Sequence, residues 1–513
     1  MLKHIGSNWA LSLLQILVML VLSPFMADVL GKDDYGVWIA IAAATGFLDL
    51  LVLGVPMASV RHISEHVARK ETGKANEVIA TGLGICLVLG LGALLAGSAI
   101  FFGFEKALLT NPRWQNVTAE TFEQARVAFV IVVVRIAAGF AMRLPIAVFD
   151  AHHGFSVRNA VLGGGLLFRL CALLAVLAEH DSLVVLAVVL AIEVVLVFVT
   201  LLALIHARYP GVRFGLGCFR RGRVRQIVGF GLFAGVLNVG DMLAYQSDAL
   251  VIGAFLDPQR IAEFDFGNKF FYPLAQFMAG IGAVVMPTVT RMKAGGELSE
   301  LRALFLKWSK ISLSLVLLVG LYLTVLGPEF LGTWAPGPDY QASSGPITQI
   351  LMPSFVMYLT VRAVALPILL GVGHPGRAAL GLLGMGIANL ALSVLLVRPF
   401  GIVGVALGTA IPSVLYAGWL LKLACKELGT GVGEYLRYVG GKPALGALPP
   451  LGLLLFLKYG PGIAGWPALL GSGLGLVVVF ALCWVLFVYR DDPYLDLRAE
   501  LAARFGRRAG GGR

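Results

Sequence analysis

Six ionisable side chains stand inside runs of the chain that are otherwise apolar. Arg126, Arg135 and Arg143 recur in one run, Arg169 is central in the next, Glu193 falls in the one after, and Asp49 lies in an early run. A charge at the centre of a membrane span costs about 2.5–3.5 kcal/mol on the insertion scale, so such residues default to function. On a helix, Arg135 and Arg143 are roughly 80° apart around the axis and about 12 Å apart along it, so one face can present both. A guanidinium offers a fixed fork of N–H donors that matches the oxygens of a phosphate or carboxylate. The chemistry this pattern suits is capture of an anion within the membrane. The competing reading is internal pairing, of Arg169 with Glu193 and of Asp49 with one arginine of the Arg126–Arg143 run. Arg126, nearer the run's end, reads as an arginine that extends to the interface.

A second group is acidic. Asp241, Tyr245 and Asp248 recur at i, i+4 and i+7, one face of a helix, with Asn238 and Gln246 nearby. Asp265 and Lys269 begin the following run, and Arg362 is near the middle of a later one. A membrane carboxylate can bind Na⁺ or H⁺, which makes this an ion-coupling or gating candidate. Pairing of Asp248 with Lys269, and of Asp241 with Arg362, is the alternative.

The elements that must position these groups are about fourteen apolar runs, near 9–27, 37–60, 78–102, 124–149, 159–179, 183–206, 227–252, 264–288, 304–327, 347–370, 377–397, 401–424, 443–459 and 466–489. Each is long enough to cross a bilayer as a helix. The connections between them leave no room for a soluble domain. With 58% hydrophobic and 13% charged residues the chain could not cover a water-facing surface, which carries about 25% charge in an ordinary domain. The first run is too long for a signal peptide's core and reads as a retained span.

The formal charge of +11 does not indicate nucleic acid, because the positives cluster in alternate connections. Arg61, Arg69, Lys70 and Lys74 follow the second run; Arg208, Arg213, Arg220, Arg221, Arg223 and Arg225 follow the sixth; Arg291, Lys293 and Arg302 follow the eighth. The tail carries Arg498, Arg504, Arg507, Arg508 and Arg513. This bias places both termini in the cytoplasm of a plasma-membrane protein and requires an even number of spans.

Three pairs of segments repeat at an offset of roughly 220–230 residues. Leu30-Gly-Lys-Asp-Asp-Tyr-Gly matches Leu256-Asp-Pro-Gln with Phe264-Asp-Phe-Gly; Val55-Pro56 with Arg61 matches Met286-Pro287 with Arg291; Leu144-Pro145-Ile146 matches Leu366-Pro367-Ile368. Six spans per repeat preserve orientation, so the halves are parallel repeats. The expected organisation is an all-α polytopic fold: an N-lobe (1–206), a basic cytoplasmic loop (207–226), a C-lobe (227–425), two added helices (426–489) and a basic tail (490–513).

With these residues on the page, nearly the whole chain resembles the multidrug/oligosaccharidyl-lipid/polysaccharide exporter superfamily, and within it the O-antigen and exopolysaccharide flippases. Leu30-Gly-Lys-Asp-Asp-Tyr-Gly-Val-Trp38, Gly46-Phe-Leu-Asp49-Leu, Gly54, Arg61, Gln246-Ser-Asp248, Leu331-Gly-Thr-Trp334 and Phe400-Gly-Ile-Val-Gly-Val-Ala406 carry the resemblance. It implies movement of a polyprenyl-pyrophosphate-linked glycan from the inner to the outer leaflet, with the polymerase and chain-length regulator of that pathway as partners. The arginines would then hold the pyrophosphate and acidic sugars. A lipid II flippase is a second reading. An exporter of cationic drugs is a third, which the basic first lobe disfavours. A membrane-embedded glycosyltransferase is a fourth, set against short outward loops without paired carboxylates.

Other patterns carry less. Gly371-Val-Gly-His-Pro-Gly376 matches a nucleotide-loop pattern but follows a span rather than a strand. His62-Ile-Ser-Glu65-His66 fits an inverted zinc-protease pattern in a short basic loop that reads as an interfacial helix. The five cysteines show no paired spacing, so neither a disulfide, a metal nor a cofactor is expected.

Overall fold

The computed structural model describes residues 2–52, 54–106, 111–295, 298–373 and 375–495. The expected basic residues at 498–513, and His374 of the glycine pattern, lie outside the described residues. The described chain is helical, with no strand. Among the described residues, eleven segments are long and apolar enough to cross a membrane. Two of them hold two expected spans each. Helix α1 (Leu2–Gly46) changes direction at Gly31, whose φ of 76° interrupts the helix between the first two runs. Helix α15 (Pro375–Glu427) does so at Gly401, with φ 58°, between the eleventh and twelfth. Both angles lie in the region that favours glycine.

The remaining long helices follow the apolar runs: α3 (Thr72–Phe104), α4 (Ala119–Met142), α6 (Phe155–Val176), α7 (Leu183–Arg208), α8 (Arg221–Tyr245), α11 (Phe271–Gly295), α12 (Leu298–Trp334), α14 (Gly345–Val372) and α19 (Gly465–Cys483). Prolines set the local breaks. Gly54 adopts a left-handed conformation and Pro56 opens α2 (Val55–Ala68); Pro145 opens α5 (Leu144–Ala151) straight after α4. Proline fits the first turn of a helix, where its missing N–H costs nothing, and cannot continue the helix before it. A six-residue 3-10 turn, Phe47–Val52, fills the gap between α1 and α2.

The chain divides into two compact units. The first is Met1–Asp265 with Val397–Val405; the second is Phe266–Leu396 with Ala406–Arg513. The first therefore includes α8, the short α9 (Ser247–Phe255) and most of α10 (Pro258–Asn268), which were expected at the start of the C-lobe. Packing explains this. Helices α8 and α9 lie against α1, α2 and α3. The two copies of the first repeated motif also meet: Gly36 lies so close to Pro258 that an added Cβ would stand 2.0 Å from the Pro258 carbonyl oxygen. Tyr35 donates to Asp265 at 2.9 Å, and Gln259 to Asp33 at 2.9 Å. The core of this unit joins Val55, Ile63, Ile79, Phe140, Val148, Phe149 and Leu201.

In the second unit α12 and α11 both pack along α14 and also touch each other. The C-terminal helices α18 (Leu448–Tyr459) and α19 attach to α12 through an apolar cluster of Val325, Leu326, Leu454 and Leu476. They are also tied by a buried ion pair, Lys310 to Asp492 at 2.5 Å, with both side chains 1% exposed. Tyr438 donates to the same carboxylate at 2.7 Å.

Candidate functional site

Both proline breaks of the first unit open onto one cavity of about 720 Å³ between α2 and α5. Pro56, Met57 and Val60 line it from α2, Ile146 and Ala147 from α5, and its charged groups are Arg61, Arg143 and Asp150. Arg143 sits at the α4–α5 junction that Pro145 creates, so the proline places its guanidinium at the cavity wall rather than along a continuous helix.

The expected residues of the first lobe divide into pairs and a remainder. Arg143 donates to Asp49 at 2.7 Å, with 40% and 41% of the side chains exposed. Arg169 donates to Glu193 at 2.6 Å, and Glu193 is only 8% exposed. Gly165 makes this second pair reachable: an added Cβ there would stand 2.6 Å from Val197 and 3.5 Å from Glu193 on α7. Arg126 is held at the helix end by Glu105 at 2.6 Å and Glu123 at 2.5 Å. Arg135 differs. Its Nε is buried without a hydrogen-bond partner, and among the described residues no ion pair within 4.0 Å engages it. Its charged neighbours are Arg169, Asp49, Glu193 and Arg143. Three guanidinium groups (Arg135, Arg143, Arg169) against two carboxylates (Asp49, Glu193) leave a local charge of +1.

Asp241 and Tyr245 lie in the last turns of α8 and Asp248 in the first turn of α9, across Gln246, which keeps right-handed helical angles and donates its N–H to the Met242 carbonyl at 2.9 Å. Asp248 is 1% exposed. Lys269 and Arg362 belong to the second unit. The Lys269 ammonium lies 5.9 Å from the Phe266 ring. Arg362 donates to the Tyr358 hydroxyl and lies over that residue's ring.

Sequence reading passed over Asp150 and the roles of Arg61 and Lys310. Asp150 faces the cavity and pairs with Arg158, which also donates to Asn8 at 3.1 Å. Arg61 was legible as an interfacial positive, in the internal repeat and in the family resemblance, but not as part of a cavity wall. Lys310, inside an apolar run, was a visible anomaly, but nothing marked Asp492 as its partner. His66 of the zinc-like pattern is held between Glu71, 2.8 Å from Nδ1, and Arg223, 3.1 Å from Nε2. A guanidinium can only donate, so Nε2 accepts from it and Nδ1–H faces the carboxylate.

Comparison with known proteins agrees with this architecture. A curated relative, the probable low-salt glycan biosynthesis flippase Agl15 of Haloferax volcanii, is 22% identical over 200 residues, which is 38% of this chain and 42% of the relative's length. The solved inward closed conformation of the lipid II flippase MurJ superposes with a TM-score of 0.69 at 14% identity, covering 94% of this chain and 99% of that one. An inward-facing multidrug resistance MATE family transporter superposes with a TM-score of 0.64 at 14% identity, covering 80% of this chain and 98% of that one. Residues 1–293, more than half of the chain, match the family model described as polysaccharide biosynthesis protein. The chain is therefore a multi-pass membrane protein that belongs to the polysaccharide biosynthesis protein family, with the helical fold shared by these solved transporters.

Proposed function

We propose that this protein moves a polyprenyl-pyrophosphate-linked oligosaccharide from the cytoplasmic to the outer leaflet of the plasma membrane, by alternating access, for surface O-antigen or exopolysaccharide assembly. The observation that carries this reading is the surplus positive charge of the first unit. Two of its three intramembrane arginines are matched by acids, and Arg135 is not. An uncompensated guanidinium in a span is costly unless an anion completes it. The half-exposed Arg143 at the cavity wall gives that anion a second contact. A diphosphate supplies the negative charge that such groups would neutralise, while the polyprenyl tail stays in lipid.

The chemistry is transport: no bond of the substrate is made or broken, and the arginines bind and release. Asp241, Tyr245, Asp248 and Lys269 remain the candidates for ion coupling or gating, and Arg135, Arg143, Arg169, Asp49 and Arg362 those for substrate binding. The same arginines suit lipid II, so the transported head group has to be identified chemically. A membrane-embedded glycosyltransferase would instead make polymer without translocation. The test is replacement of Arg135 and Arg143 by alanine with surface glycan as readout. Loss of glycan in a properly inserted double variant supports the reading, and normal export refutes it.

A further inference from the structure

We infer that Asp49 is a displaceable counter-ion, whose carboxylate gives up Arg143 to an incoming phosphate and thereby signals that the site is filled. This rests on the proposed substrate class and adds a role for a residue that the arginines alone do not define. Three features of the Asp49–Arg143 pair support it.

The first is its weakness. One bond joins the two, Arg143 Nη2 to Asp49 Oδ1 at 2.7 Å, rather than the two parallel bonds a guanidinium can give a carboxylate. Both partners are about two-fifths exposed, so neither is enclosed by surrounding side chains. The Arg169–Glu193 pair lacks this freedom, because Glu193 is 8% exposed and would be stranded.

The second is access. Arg143 lines the cavity, and Asp49 does not line it. An anion entering the cavity therefore meets the guanidinium from the side that Asp49 leaves open. A phosphate can take the fork in two-point fashion and outcompete a single carboxylate contact.

The third is the seat of Asp49. It lies on the 3-10 turn Phe47–Val52, and Gly54, in a left-handed conformation, follows the turn closely. Short 3-10 stretches within a longer helical path have poorer hydrogen-bond geometry and often mark hinges. The turn packs against α3, α4 and α8. Just before it, an added Cβ on Gly46 would stand 2.4 Å from the Gln246 side chain, at the α8–α9 junction. Freeing Asp49 thus loosens a turn that touches α8, the helix bearing Asp241 and Tyr245.

The experiment titrates farnesyl pyrophosphate into the purified full chain in lipid nanodiscs, alongside surface-glycan export in cells. Asp49→Asn removes the competitor, so binding tightens by about two- to fivefold, the range of an exposed ion pair, while export falls because the signal is lost. Asp49→Glu keeps the competitor and restores wild-type affinity. Arg143→Ala weakens binding. This split between affinity and rate is one that a merely structural Asp49 would not produce. If Arg143→Ala weakens binding but Asp49→Asn leaves it unchanged or weaker, the counter-ion role is overturned and the substrate reading survives. If Arg143→Ala binds as wild type does, both are overturned. Should Asp49→Asn insert poorly, Asp49→Ser carries the same test.

Discussion

Replacing Arg135 by alanine should separate function from stability in opposite directions. The Arg135 Nε is buried without a hydrogen-bond partner, and the nearby acids Asp49 and Glu193 are each engaged by another arginine. Hydrogen bonds from a charged donor are worth about 1.5–3 kcal/mol. Losing that contact to a phosphate weakens binding by about 10- to 150-fold. The variant also sheds an uncompensated intramembrane charge, whose insertion cost is about 2.5–3.5 kcal/mol, so the protein melts at the same or a higher temperature in detergent. Arg169→Ala is the control. It strands Glu193, and breaking a buried pair costs about 3–5 kcal/mol, so that variant melts lower. Farnesyl pyrophosphate titration and thermal melting of the two purified variants measure both effects. Wild-type affinity in Arg135→Ala, or a melting loss as large as that of Arg169→Ala, would refute the charge argument.

Three further outcomes follow from the packing. Asp492→Asn should detach the C-terminal helices from α12 and lower stability by about 3 kcal/mol, read from melting curves. The Asp492 carboxyl lies below its ordinary value of 3.8: burial pushes it up, and hydrogen bonds from Lys310, Tyr438 and the Tyr494 N–H outweigh burial. A lowered folded-state value stabilises above the ordinary one and is lost as pH falls through it, so the gap between wild type and variant holds from about pH 5 to 8 and closes below about pH 4. Gly36→Ala puts a methyl against the Pro258 carbonyl and should cost about 1–3 kcal/mol with loss of export, measured by membrane yield and surface glycan. Gly165→Val should part α6 from α7 and break the Arg169–Glu193 pair, lowering the melting temperature without changing the affinity of correctly folded protein for farnesyl pyrophosphate by more than about threefold.

How much of this was legible in sequence depends on range. Apolar runs announce spans because lipid allows no unsatisfied backbone, and the kinks at Gly31 and Gly401 fall between runs that hydropathy had already separated. The anomalous charges were equally visible, since Arg135, Arg169 and Asp49 interrupt apolar sequence. What remained open was the partner of each charge. Helical periodicity fixes which face a residue occupies, but pairing across helices depends on their approach. Arg169 and Glu193 meet only because Gly165 lets α6 and α7 close together. The same limit hid Lys310 and Asp492, which lie 182 residues apart in sequence. The repeat was readable as a pattern, whereas the meeting of its two copies at Gly36 and Pro258, which draws residues up to Asp265 into the first unit, was not.

The most direct measurement is leaflet-resolved labelling of the lipid-linked glycan in cells with the protein, without it, and with the Arg135→Ala, Arg143→Ala double variant. A flippase of the proposed kind leaves the glycan accumulated in the cytoplasmic leaflet in the latter two and delivers it to the outer leaflet in the first. Arrival at the outer leaflet at the normal rate without the protein would contradict the account.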